Sequence, residues 1–126
     1  MEVVKMKRKL MALFLTAALT AGFGGSVFAA SGTYGGVTWN TASTCTTTRA
    51  YLCMTSNTAA ELEGYGTLDV RRNGSGAVSK IVMNPYGETV TRISDVRNVS
   101  SPQYIASLSI TYKVKGHPVY SEIIRP

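Results

Sequence analysis

Residues 104–114 alternate between apolar and polar side chains with a period of two. The stretch has one mostly apolar face, and Ile105 is the one large apolar residue on the other face, which is otherwise made of Ser, Thr and Lys. Such alternation indicates a β-strand with one buried side. The sequence therefore predicts a long, half-buried strand whose inward residues are Tyr104, Ala106, Leu108, Ile110, Tyr112 and Val114.

Turn residues divide the rest of the chain into similar short segments. Asn73-Gly74 tolerates the positive φ angles of a tight turn and predicts a hairpin between strands 65–72 and 77–83. Residues 84–87 and 115–118 are predicted as further turns that lead into strands 88–93 and 119–125, and residues 95–103 as a loop. Only residues 58–64 suggest one or two turns of helix. We expect an all-β fold, a small antiparallel sandwich or barrel of about six to eight short strands.

The N-terminal segment resembles an export signal. A basic stretch at residues 5–9 precedes an apolar run at 10–19, and glycines and small residues follow it. Cleavage after Ala29 would put Val27 and Ala29 at the two positions that require small side chains, whereas cleavage after Ala30 would put bulky Phe28 at the first of them. The strongly apolar run is about half of the 20 residues that a membrane-spanning helix needs. The lysine-rich leader is similar to those of Gram-positive bacteria.

The leader divides the chain into a signal peptide, residues 1–29, and one β domain, residues 30–126. The chain of 126 residues has room for a single domain. After cleavage the formal charge falls from +6 to +3, because four basic residues and one acidic residue lie in the leader. We expect a secreted, extracellular protein with no stable membrane anchor and no nucleic-acid partner.

Export to an oxidising compartment decides how the two cysteines are interpreted. Seven residues separate Cys45 from Cys53, which is not the spacing of a redox or zinc motif. If residues 46–52 form a tight hairpin, the two cysteines lie opposite each other, and we expect a disulfide between them. His117 is the one imidazole of the chain, so neither a metal site nor a cofactor is predicted.

No convincing catalytic set is present, and no catalytic residue is assigned. A Ser-His-Asp site would have to use His117, which precedes Pro118 at an expected turn, with Asp95 as the orienting acid. Glu61 and Glu63 lie two residues apart, and a small β domain rarely has the cleft that paired-carboxylate hydrolysis of a glycan needs. Whether the chain is an enzyme stays open, with a non-catalytic role favoured.

Basic and aromatic residues suggest one candidate surface. It would suit anionic polymers of a cell envelope or phospholipid head groups, although an ordinary solvated surface is the alternative. At a net charge of +3 the attraction would be modest and largely screened at physiological salt. Trp39, the single tryptophan, is expected in the core. The residues of this cationic-aromatic surface are Arg71, Arg72, Lys113, Lys115, Tyr112 and Tyr120.

Export, small size and the lack of a catalytic set predict a secreted, non-catalytic binding protein. Its ligand would be a cell-envelope polymer, a glycan or another protein. One alternative is an antagonistic polypeptide, a bacteriocin or toxin: in size and leader the chain is similar to exported lactococcin-like bacteriocins, although their tyrosine- and histidine-rich motif has no counterpart here. A second alternative is a small hydrolase, or an inhibitor that presents residues 46–50 to a protease.

Overall fold

The computed structural model describes residues 26–126, which form an antiparallel, nearly closed, barrel-like sheet of seven strands. The all-β prediction is confirmed. Within this range no helix has the length and apolar character needed to cross a membrane. The strands are β1 (Ser26–Tyr34), β2 (Val37–Cys45), β3 (Arg49–Arg72), β4 (Val78–Met83), β5 (Tyr86–Asn98), β6 (Gln103–Val114) and β7 (His117–Ile124).

Strand β3 is the central strand of the sheet and pairs with four others. Its first half pairs with β2 on one edge and with β5 on the other, and its second half pairs with β6 and β4 in the same way. The pairing with β5 shifts register between Thr55 and Leu62, where the strand passes from one set of neighbours to the next. Strands β1 and β7 continue the sheet beyond β2 and β6. The 24 residues of β3 therefore belong to both halves of the sheet, one with β1, β2 and β5 and the other with β4, β6 and β7.

The helix predicted over residues 58–64 is wrong, because this segment is the middle of β3. Ala60 and Leu62 are buried, whereas Glu61 and Glu63 point the other way, which is a strand period. Gly66 lets the second half of β3 pack closely on Leu52 of its first half: an added Cβ would lie 2.9 Å from Cδ2 of Leu52. Glycine within a strand often marks such a close approach.

The hairpin predicted at Asn73-Gly74 is confirmed. Arg71 pairs with Val78, and Gly74 adopts a φ of +89°. By contrast, residues 84 and 85 do not reverse the chain. They are a short break between β4 and β5, which pair in succession with the same edge of β3. Met83 pairs with Gly66 before the break, and Tyr86 pairs with Glu63 after it. The loop predicted from residue 95 begins later, since β5 extends to Asn98.

A bulge in β6 explains the exceptional Ile105. Asp69 pairs with Ser107 but Val70 pairs with Ile105, so Ala106 is the extra residue and Ile105 turns inward. Ile105 is fully buried, like Leu108, Ile110, Tyr112 and Val114 farther along the strand.

Side-chain contacts join the hairpins at the two ends of the strand order. The Tyr34 ring, beside the β1–β2 turn, stacks on the His117 ring at the start of β7, with centroids 4.3 Å apart. The Lys115 ammonium donates a hydrogen bond to the Gly35 carbonyl at 2.8 Å. Trp39 is buried, as predicted, and its ring lies 6.3 Å from that of Tyr120. These contacts hold the β1–β2 hairpin against the β6–β7 hairpin.

The predicted leader lies outside the described residues, apart from its last four positions. Those four begin β1, in which Ala29 pairs with Ala42 and Ala30 pairs with Thr41. Cleavage after Ala29 would therefore leave residues 30–34 of this strand in the mature domain.

Candidate functional site

The predicted disulfide is wrong: Cys45 and Cys53 are free and buried. The hairpin turn is tighter than expected, so Cys45 pairs with Ala50 and Cys53 pairs with Ala42. Three positions separate Ala50 from Cys53, and alternate residues of a strand point to opposite faces. The two thiols therefore leave the sheet on opposite sides, a geometry that cannot be bridged without moving the backbone. Burial raises the pKa of Cys45 to about 11.

The predicted cationic-aromatic surface does not form as one patch. Tyr112 is fully buried, so it is a core residue. Arg71 pairs with Tyr104 near the start of β6, whereas Lys113 lies near its end. Those positions are nine residues apart along β6, a distance of about 30 Å. The two pairs of cations thus occupy opposite ends of the sheet.

Most of these side chains also have partners of their own. Arg71 lies 3.3 Å from the Asp69 carboxylate, and Lys113 lies 3.9 Å from that of Glu63. Lys115 is held by the Gly35 carbonyl, as described above. Tyr120 is half-buried and donates a hydrogen bond to Glu122 at 2.9 Å. Arg72 is exposed at the end of β3.

The candidate catalytic residues have structural partners as well. The His117 ring stacks on Tyr34, and Asp95 accepts a hydrogen bond from the Val96 N–H at 2.8 Å. Glu61 accepts a hydrogen bond from the Tyr86 hydroxyl at 3.0 Å. Across residues 26–126, no group of three or more His, Cys, Asp or Glu side chains is placed to hold a metal ion.

A different surface emerges from the strand register. We call it the outer face: the side of β4, the second half of β3, β6 and β7 that points away from the core. One cross-strand row on this face runs Val82, Thr67, Ser109, Ile123, and the next contains Tyr65, Thr111 and Ser121. Tyr65, Val82 and Ile123 are 47%, 47% and 59% exposed. These large apolar groups alternate with hydroxyl groups in one area.

These rows form an open groove of about 480 Å³. Within it the hydroxyl groups of Thr111 and Ser121 lie 3.0 Å apart and form a hydrogen bond. Its lining residues are Tyr65, Thr67, Ser109, Ile110, Thr111, Ser121, Glu122 and Ile123. The groove offers a phenol ring, an aliphatic side chain and several hydroxyl groups to a ligand from solvent.

Charges flank this groove in opposite-sign pairs. Glu63 and Lys113 form one pair in the row beyond Tyr65, and Asp69 and Arg71 form the other toward the end of β3. Glu122 is also among the lining residues, but it pairs with the core residue Ile110, so its side chain lies on the inner side of β7, where Oε1 is buried with no hydrogen-bond partner. Desolvation raises the pKa of Glu122, although the hydrogen bond from Tyr120 opposes this effect. Lys80 of β4 lies opposite Asp69 and adds another cation to this face, so the charges beside the groove are of mixed sign.

This groove was not predicted from the sequence. The polar face of residues 104–114 was visible, and it supplies Ser109 and Thr111. Tyr65 and Ile123, however, come from strands 58 residues apart in the chain. Their shared face depends on the pairing of β3 and β7 with β6.

No family model, curated protein or solved structure matches the chain.

Proposed function

We propose that this chain is a secreted, non-catalytic binding domain and that the groove on its outer face binds a neutral glycan chain. The exposed Tyr65 ring beside the hydroxyl groups of the groove is the observation that carries the proposal. Secretion is part of the proposal and rests on the leader-like sequence of residues 1–29.

The side chains of the groove complement the two kinds of surface that a sugar ring presents. One face of a pyranose ring carries C–H groups, which pack on an aromatic ring such as that of Tyr65. Sugar hydroxyls both donate and accept hydrogen bonds, as do Thr67, Ser109, Thr111 and Ser121. Ile123 adds apolar contact at the other side of the groove.

The shape and charge of the groove favour an extended, uncharged ligand. Small-molecule sites usually enclose most of their ligand, whereas this groove is open to solvent. The neighbouring cations Lys113 and Arg71 each lie beside a carboxylate. An anionic polymer would therefore meet carboxylates among these cations, and a neutral glycan suits the mixed charges better.

A pull-down assay with insoluble polysaccharides tests the proposal. Suitable probes are cellulose, chitin and bacterial peptidoglycan, with heparin–agarose as the polyanion. We expect the protein to bind at least one of the three wall-type polymers, and we expect this binding to survive high salt. Binding to heparin alone, lost at high salt, would contradict the neutral-glycan proposal.

Variants tie the binding to the groove. Tyr65→Ala removes the stacking ring and should weaken binding roughly twofold to tenfold, because an aromatic contact contributes about 0.5–1.5 kcal/mol beyond its buried area. Tyr65→Phe keeps the ring and should retain most of the affinity. Val78→Ala removes an exposed apolar side chain at the far end of β4, outside the groove, and serves as the control. Equal loss in Tyr65→Ala and Val78→Ala would contradict the assignment.

The same protein preparation separates the other functions. Clear zones on lawns of related bacteria, with no binding to the polysaccharides, would favour an antagonistic polypeptide. Hydrolysis of a bound glycan, detected as released reducing sugar, would favour an enzyme and contradict the non-catalytic proposal.

A further inference from the structure

The edge of the sheet formed by β4 and β5 has no partner strand among residues 26–126. Strands β4 and β5 pair with β3 on one side, and no strand lies on their other side. An unpaired edge invites another strand, and proteins protect such edges with charged side chains, above all lysine, and with proline, bulges and short strands. Here β4 is short and contains Lys80, Pro85 follows it, and the first part of β5 pairs irregularly with β3.

The last seven residues of β5, 92–98, are protected only by charged side chains, those of Arg92, Asp95 and Arg97. They contain no Pro, Gly or Lys, and they pair with residues 49–55 of β3 without interruption. We call this segment the open edge. It is long enough to pair with another strand, because strands in globular proteins are usually 3–10 residues long.

A turn hydrogen bond shows which backbone groups of the open edge point outward. The Val99 N–H donates to the Thr48 carbonyl at 2.8 Å, and this pair continues the antiparallel register of β5 with β3. In such a ladder, alternate residues bond to the same neighbour. Ile93, Asp95 and Arg97 therefore face β3 with their N–H and C=O groups. The groups that point outward belong to Arg92, Ser94, Val96 and Asn98.

We propose that the open edge pairs with the open edge of a second copy of this chain, antiparallel and centred on Val96. This register places Asp95 opposite Arg97 of the partner subunit, and the two-fold symmetry repeats that ion pair. Val96, which is 38% exposed, faces Val96 of the partner subunit. Ser94 faces Asn98 of the partner subunit, which matches two polar side chains.

Charge selects this register over its neighbours. Sliding the partner by two residues in one direction puts Asp95 opposite Asp95 of the partner subunit. Sliding it in the other direction puts Arg97 opposite Arg97 of the partner subunit. Like charges directly opposite each other destabilise a pair of strands, whereas opposite charges contribute roughly 0.2–1 kcal/mol. A slip of one residue would turn the inward face of one copy toward the outside of the other.

In the isolated chain the Asp95 carboxylate interacts with its own neighbours, Val96 and Arg97, and its contact with Arg97 is long. The Val96 N–H donates to Oδ1 of Asp95 at 2.8 Å, and the Arg97 Nε lies 3.8 Å from Oδ2 of the same carboxylate. In the dimer the Val96 N–H turns to a backbone carbonyl, and the carboxylate turns to Arg97 of the partner subunit. An interface of one strand pair is smaller than that of a stable complex, so the dimer is weak and forms with increasing concentration.

Sedimentation velocity of the purified protein, with its processed mass verified, tests the pairing. We expect the average mass to rise with concentration toward twice that of the monomer. Asp95→Arg or Arg97→Asp alone should abolish this rise, because like charges then oppose each other. The double variant D95R/R97D should restore it. A monomer at all concentrations up to about 1 mM would overturn the proposal.

Two further variants separate this edge from general surface effects. Val96→Pro removes an outward N–H without removing a bond to β3, so the variant should fold, as judged by circular dichroism, but stay monomeric. The matched control is D69R/R71D, which exchanges an ion pair of the same spacing away from the edge. Dimerisation that persists in Val96→Pro, or that fails equally in the control, would overturn the assignment.

Discussion

The hydroxyl groups of Tyr112 and Ser43 lie 2.7 Å apart inside the barrel, although 69 residues separate them in the chain. Both residues are fully buried, and their hydrogen bond joins β6 to β2 across the core. Burial raises the pKa of Tyr112 well above its usual value, while the hydrogen bond to Ser43 opposes that rise. A buried hydroxyl group that has a partner rigidifies the core, and one that loses it is costly.

Loss of this hydrogen bond should destabilise the fold. Tyr112→Phe leaves the Ser43 hydroxyl buried without its phenol partner, and the free energy of unfolding should fall by about 1–3 kcal/mol. Adding Ser43→Ala should cost little more, because the unsatisfied group is then removed. Urea denaturation of the two single variants and the double variant measures the coupling. Strictly additive losses would show that the two hydroxyls do not interact.

Gly32 should be intolerant of a side chain because Trp39 lies over it. An added Cβ would be 2.7 Å from Cζ2 of the Trp39 ring, and the indole is rigid and buried. Gly32→Ala should displace the ring and cost about 1–3 kcal/mol of stability. Since Trp39 is the single tryptophan, its fluorescence emission should shift to the red. Ser31→Ala, one position earlier, is the control and should leave the emission unchanged.

Glu122 should make the folded state less stable as the pH rises. Its carboxyl pKa is raised in the folded chain, chiefly by desolvation, so the folded state binds a proton more tightly than the unfolded state does. The stabilising contribution of the protonated form is complete below the unfolded pKa and is lost as the pH rises through the folded pKa.

Glu122→Gln imitates the protonated carboxyl group. The variant should unfold at a higher temperature than the parent at pH 7, and the difference should vanish in acid. Thermal melts at several pH values measure this trend. Glu88→Gln, at an exposed position of β5, is the control. A variant that is less stable than the parent at pH 7 would show that hydrogen bonding of the charged form outweighs desolvation.

The two cysteines should remain reduced and slow to react in the native protein. Cys45 and Cys53 are both fully buried, and the raised pKa of Cys45 leaves little thiolate at neutral pH. Alkylation should label neither residue in buffer and both in urea, and a reducing agent should leave the melting temperature unchanged. An unlabelled chain in urea that is lighter by two hydrogens would reveal a disulfide and contradict the described geometry.

The local pattern of the sequence determined individual strands and turns of this protein. The alternation over 104–114 predicted β6, and Asn73-Gly74 predicted the hairpin between β3 and β4. Both features follow from local rules of strand period and turn conformation. The predicted helix at 58–64 failed because alternating burial in the sheet outweighed the weak helical tendency of Ala and Glu.

Tertiary structure decided the features that depend on strand register. The faces of Cys45 and Cys53, the shared groove of Tyr65 and Ile123, and the open edge at residues 92–98 all follow from which strand lies beside which. A one-residue change in register moves every side chain to the other face of a sheet, so these arrangements cannot be obtained from local pattern. The amino-acid sequence by itself determined that this chain is built of strands, and the long-range packing around β3 decided which side chains meet.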